Sequence, residues 1–424
     1  MNGRNLNYLG MTLCAVTVWA SAAGSAFASP MPELVEISKR LANKDRWPEH
    51  NDPQIFDKNY VFNYEKLMTK LEARITDEKM PWSDTWWPAR RGGIANRWQI
   101  GPEYPTFWPG DYLSEQSRVL AMSPEEIKFL SPAEKYDIAV GDYTFGLTRD
   151  VIRNSKANAP EWWGICEGWT GAAMSYAEPD VVTVTNPDGV TIEFGSSDVK
   201  ALLALFYSWE GIKASRQLGL RCGAGPGEPY DPATSDCYDV HPAAFHVVLL
   251  NQIGFMNTPI GADVDGGSSG GIQNETWNQP VFAYKTNVLE EWDCEYGYCQ
   301  GTAEGTVRQV LVETHMTFAD DERPVWQPTM GTSEFFQETR YYQYWLEIDG
   351  NGNIVGGSWV TSARPDFLWV VPTQKFSGVF AGLDKIYKPA PKLPYCVPQH
   401  YIDASTYNPN IPLYPFGPSC DERR

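Results

Sequence analysis

The stretch Trp162-Trp163-Gly164-Ile165-Cys166-Glu167-Gly168-Trp169-Thr170-Gly171-Ala172-Ala173-Met174-Ser175-Tyr176, closed by Pro179, decides how the chain is read. From Ile165 onward the apolar positions Trp169, Ala172, Ala173 and Tyr176 recur at helical spacing until the proline stops them, so Cys166 falls in the first turn of a helix. A thiol reacts as thiolate, and the unpaired backbone N–H groups of a helix start favour that anion. They also suit the oxyanion formed when sulfur attacks a carbonyl. Gly164 and Gly168 permit close backbone approach, while Trp162, Trp163 and Trp169 crowd the cysteine and exclude water. Glu167 and the acidic bulk charge oppose a thiolate, so the site calls for a cationic partner.

Downstream, Val181 to Phe194 alternates around Asn186-Pro187-Asp188-Gly189, a hairpin pattern. Another helix follows Ser197, with Val199, Leu202, Leu203, Phe206 and Trp209 on one face. The chain then turns to strands at Phe245 to Leu250, Pro280 to Thr286, Thr306 to Phe318 and Tyr341 to Val360, the last paired across Asp349-Gly350-Asn351-Gly352-Asn353. Upstream, Ser123-Pro124-Glu125-Glu126 and Ser131-Pro132-Ala133-Glu134 each read as a serine cap, proline at the first helical position and glutamate three residues on. Helices followed by an antiparallel sheet imply an α+β fold. Residues 29–120 are dense in tryptophan and proline and form either a packed region or a removable pro-segment. The core is expected over 121–388 and a disulfide-tied tail over 389–424.

With 424 residues, 42% of them hydrophobic, the chain can bury ordinary cores. Residues 1–28 read as an export leader: Arg4, an apolar run from Tyr8 to Ala23, and Ala26-Phe27-Ala28 before a mature start at Ser29. The run is too short and interrupted for a membrane span. The net charge of −19, one unit more negative without the leader, argues against nucleic acid and acidic membranes as partners. Cys14 is discarded with the leader, leaving seven cysteines in an exported chain. Pairing by proximity gives Cys222 with Cys237, Cys294 with Cys299 and Cys396 with Cys420, one of 15 connectivities, with Cys166 left over.

A nucleophilic cysteine needs a base, and five histidines are on offer. His246 opens the run Val247-Val248-Leu249-Leu250 and is expected at the start of a core strand; His241, before Pro242, is second choice. His315 reads as a sheet histidine, and His50 and His400 lie in irregular flanks. Asn278 is the candidate orienting group, with Asp263 and Asp265 as rivals, because it follows in the order Cys, His, Asn used by papain-like enzymes.

Trp162 to Trp169 resembles the nucleophile motif of the transglutaminase elicitor family, and Trp277-Asn278-Gln279-Pro280-Val281-Phe282-Ala283-Tyr284-Lys285 resembles that family's surface peptide, which plant immune receptors detect. Pro81 to Pro88, Phe245-His246-Val247 and Pro365-Asp366-Phe367-Leu368-Trp369 also look like family segments. The resemblance implies a papain-like core, a secreted disulfide-bonded zymogen activated by a protease, and calcium-dependent crosslinking of protein glutamines to lysines, with catalysis carried onto Cys166 and His246. For calcium the chain offers Asp263 and Asp265. Asp349, Asn351 and Asn353 begin like a calcium loop, but Ile354 stands where its glycine belongs, so they read as a hairpin turn. No organic cofactor is expected. Asn274-Glu275-Thr276 is a glycosylation sequon for a eukaryotic source. Two rival readings remain open: a papain-like protease or amidase, and a non-enzymatic wall- or carbohydrate-binding protein.

Overall fold

The structure, a computed structural model, describes residues 49–100, 116–220, 239–264, 275–294, 302–361, 363–401 and 417–423. The leader, Cys222, Cys237, Asp265, Asn274 and Cys299 lie outside the described residues.

Local sequence signals set the helical part. Helices Pro124–Lys128 and Pro132–Ala139 both begin with complete capping boxes: Ser123 and Ser131 accept from the N–H groups of Glu126 and Glu134, whose carboxylates take the serine N–H groups in return. The Cys166 helix, Cys166–Ser175, runs against the long helix Ser196–Trp209. Their closeness depends on Gly168, where a Cβ would lie 2.1 Å from the Ala204 carbonyl oxygen. The hairpin pairs β2 (Val182–Thr185) with β3 (Thr191–Phe194).

The sheet is antiparallel throughout, in the order β4 (Arg216–Leu218), β10 (Leu368–Val370), β5 (Ile260–Asp263), β6 (Asn278–Asp293), β7 (Thr306–Ala319), β8 (Gln337–Asp349) and β9 (Ile354–Trp359). Beyond the reach of β5, β1 (Glu72–Arg74) pairs with β6. The fold is therefore α+β, with a mixed set of helices around one large antiparallel sheet.

Strand alternation divides this sheet into two faces. Gly261, Asp263, Asn278, Pro280 and Trp369 share one face; Ile260, Val281, Phe318, Thr314 and Tyr344 share the other. The Cys166 helix packs on the first, where Gly171 lies under the Trp369 ring. The second face carries helix Pro242–Leu249, whose Phe245 meets Tyr342, Tyr344 and Trp359.

That helix corrects the expected strand at Phe245 to Leu250. The run is buried on every side, so it has no polar face to reveal a period, and short apolar runs do not distinguish a buried helix from a strand. Pro242 at the first turn fits a helix start.

The Trp/Pro-rich stretch is built into both cores over its described part. Phe56, Tyr60 and Tyr64 join the core beneath the second face, while Trp82, Trp87, Ile94 and Ala95 join the core around the Cys166 helix. Arg97 grips Glu134 with two nitrogens, at 2.6 and 2.9 Å. Cys396 is bonded to Cys420. Cys294 is also disulfide-bonded. Among the described residues, Cys166 is the cysteine outside any disulfide, and no helix is long and apolar enough to cross a membrane.

Candidate active site

Cys166 is the first residue of its helix, and Ile165 before it has no side-chain acceptor, so the N-cap position itself leaves the first-turn N–H groups uncapped. The loop leading in is pinned from the Trp/Pro-rich stretch. The Trp86 carbonyl accepts from Ile165 N at 2.8 Å, and Ala89 N donates to the Trp163 carbonyl at 2.7 Å. Gly164 is required there, since a Cβ would fall 2.1 Å from the Trp86 oxygen. The next residue, Trp87, is buried in the left-handed region at φ 48°, a conformation costly for a bulky side chain. Its indole N–H is held by Asp84 Oδ2 at 3.0 Å.

The Cys166 side chain is 5% exposed. Its sulfur lies 3.6 Å from the Thr276 carbonyl oxygen and 4.0 Å from Glu167 Oε2, and receives the Asn278 side-chain amide at 3.6 Å. The orientation of that amide is set by chemistry. Trp369 Nε1 can only donate, and it sits 2.8 Å from Asn278 Oδ1, so the NH₂ group must face the sulfur. Thr170 Oγ1, one turn into the cysteine helix, donates to the Asn278 backbone carbonyl at 2.8 Å and ties strand to helix.

The structure thus brings Asn278 to Cys166 and does not bring His246. His246 lies on the opposite face of the sheet, fully buried, its Nδ1 2.9 Å from the Tyr344 hydroxyl, which also meets Thr314. Burial alone pushes its pKa down to about 3. The expectation that it stands at a strand start beside the thiol is corrected, because the run folds as a helix on the far side. Asn278 accordingly touches the sulfur itself rather than orienting an imidazole.

The other histidines keep separate surroundings. His241 precedes the same far-side helix, its N–H on Asn51 Oδ1 and its pKa lowered by burial to about 4. His315 is a sheet residue, 2.7 Å from Glu313, as its alternating context suggested. His400 stacks on Phe336, and the His50 carbonyl accepts from Gly219 N.

Asp263 pairs with Asn278 across β5 and β6, but it is fully buried and its Oδ1 accepts from Trp277 N at 2.7 Å. Among the described residues no three His, Cys, Asp or Glu side chains cluster to hold a metal, and Asp265, the other candidate calcium ligand, lies outside the described residues. Asp349 does what the hairpin reading requires, accepting from the N–H groups of Asn351 and Asn353.

The indoles over the site also differ from expectation. Trp163 is 39% exposed and Trp169 is sunk in the core, its N–H on the Trp82 carbonyl. Trp86, which contacts the loop before Cys166, and Trp277, between Thr276 and Asn278, meet edge to face at 5.5 Å. Trp86 and Trp369 were visible in the sequence only as members of Trp-containing segments without a role. Trp277 to Lys285 is not a surface peptide here: from Asn278 to Tyr284 it is buried in β6, paired with β5 and then β1 on one edge and β7 on the other.

The transglutaminase elicitor family matches the chain over residues 54–381. The crystal structure of the GP42 transglutaminase from Phytophthora sojae is similar in fold, with a TM-score of 0.53 at 22% sequence identity, covering 80% of this chain and 97% of that one. No curated protein matches the chain. With the family match spanning most of its length, the chain belongs to the transglutaminase elicitor family.

Proposed function

We propose that this protein is an extracellular thiol acyltransferase that joins protein glutamines to lysines. The Cys166 sulfur attacks the γ-carboxamide of a glutamine; ammonia leaves carrying the thiol proton, and a thioester forms. A lysine amine then displaces the sulfur, giving an isopeptide and regenerating the thiol.

The observation that carries this reading is the Asn278 amide, aimed at the sulfur by Trp369. A donor fixed beside a nucleophile is placed to receive the oxyanion of an acyl intermediate, and the uncapped helix start supplies a second set of donors. A cysteine that merely packed would not need an oriented amide. Trp86 and Trp277 favour transfer over hydrolysis by limiting water at the thioester.

The test is incorporation of dansyl-cadaverine into a glutamine-rich protein, with and without calcium and before and after limited proteolysis. Fluorescence in the acceptor with wild type and none with Cys166→Ala supports the transferase. Acceptor fragments without fluorescence would make the protein a protease. Identical behaviour of wild type and variant would leave a binding protein.

A further inference from the structure

With His246 across the sheet, the proton of the thiol has no imidazole to go to from the candidate pair. Three described groups contact the sulfur; of these the Thr276 carbonyl and the Asn278 amide cannot take up a proton, and the Glu167 carboxylate can. Its placement follows from the helix. As the second helical residue Glu167 stands beside the cysteine, and its Oε1 accepts from Ser208 Oγ at 2.7 Å, near the end of the neighbouring helix. That anchor leaves Oε2 turned toward Sγ at 4.0 Å, a separation of the kind that tightens when substrate fills a site. The residue as a whole is only partly buried, while its carboxyl is desolvated.

We propose that Glu167 is the acid–base residue of acyl transfer at Cys166, an inference that rests on the transferase reading above. As the sulfur attacks the carboxamide carbon, Glu167 Oε2 takes the thiol proton. It returns that proton to the nitrogen as the C–N bond breaks, so ammonia departs, the thioester remains and the glutamate is again a carboxylate. In the second half Glu167 takes a proton from the attacking lysine amine, and it gives that proton to the sulfur as the C–S bond breaks. No net charge and no oxidant is needed in either half.

Electrostatics around the carboxyl agree with this role. Desolvation raises its pKa, opposed by the hydrogen bond from Ser208 and by its own backbone N–H, which brings proton gain and loss closer to neutral pH. A glutamate that only ties two helices together would keep that function as glutamine, because the amide oxygen still accepts from Ser208.

Glu167→Gln therefore separates the two roles. The expected result is a fall in amine incorporation of about 10²-fold or more, with an unchanged melting temperature. Alkylation of Cys166 by iodoacetamide is expected to be no slower, since a negative neighbour is removed. Turnover of a p-nitrophenyl ester, whose leaving group needs no proton, is expected to fall far less than turnover of glutamine. Incorporation within about threefold of wild type, or equal losses on the ester and the carboxamide, would overturn the assignment. If the variant melts early, Glu167→Asp is measured instead; the shorter carboxylate must retain more amine transfer than the glutamine variant, and the reverse order overturns the role. Failure of wild type itself to incorporate amine would remove the transferase reading and this inference with it.

Discussion

The two faces of the large sheet are built on different physical terms. On the cysteine face, helices stand close enough to require glycine, an uncapped helix start meets an oriented amide, and carboxylates are buried in numbers. There Lys200 reaches Glu178 at 2.7 Å and the Ser83 carbonyl at 2.8 Å, with Asp84 and Glu322 acting on the same cation, so a single lysine holds the Trp/Pro-rich segment against the core. On the histidine face the helix Pro242–Leu249 is buried along its whole length among aliphatic and aromatic side chains. The face that carries Cys166 is the one with strain and buried charge; the other is closed packing. On the proposed reading, function follows local preorganisation around Cys166 rather than the most conspicuous histidine.

The largest expected effect tests the donor. Asn278→Ala removes the amide from the sulfur and leaves the Trp369 N–H without its acceptor, so amine incorporation is expected to fall by about 10² to 10³-fold. A rate within about tenfold of wild type would move the oxyanion site elsewhere. Packing on the same face is tested by Gly168→Ala, whose Cβ would collide with the Ala204 carbonyl. Thermal or denaturant melts should show a loss of about 1–3 kcal/mol or more, since the obstacle is backbone. A neutral result would mean that the two helices are not held as closely as described.

His246→Gln breaks or confirms the division directly. Amine incorporation is expected to stay within about threefold of wild type, while stability changes through the contact with Tyr344. Loss of activity comparable to Cys166→Ala, with folding intact, would bring the imidazole back to the thiol.

The faces should also answer pH in opposite directions. Desolvation raises Asp84 to about 6, and Asp137 and Glu322 to about 7, on the cysteine side. Groups raised in the folded state contribute stability that is complete below their unfolded pKa and is lost as pH rises through the folded value, here from about 4 to 7. His246 and His241 are lowered to about 3 and 4 by burial, so their contribution is present above about 6.5 and is lost as pH falls toward those values. Melts across this range should flatten between about pH 4 and 7 in Glu322→Gln, which keeps an oxygen for Ser83, and on the acid side in His246→Gln. Unchanged slopes in both would show that these groups do not govern the response.

Much of this was written in local sequence. The cysteine at a helix start, both serine–proline–glutamate caps, the hairpin around Asn186 to Gly189 and the long strands flanking the Asp349 turn all depend on neighbours within a few residues, so pattern and propensity were sufficient to read them. The run from Phe245 to Leu250 was misread because full burial erases the polar face that would have betrayed its period. Asn278 was legible as a polar residue opening a strand, but its partner was not, since the orientation of its amide depends on Trp369, 91 residues away.

By itself, then, the sequence determined which residues could be reactive and, outside the fully buried run Phe245 to Leu250, which of the segments singled out would be helix or strand, because those properties are set by side-chain chemistry and by contacts along the chain. Only the tertiary structure decided that Asn278, oriented by Trp369, meets Cys166 while His246 is turned to the other side, because the face on which a residue sits depends on strand register and helix packing across the whole sheet.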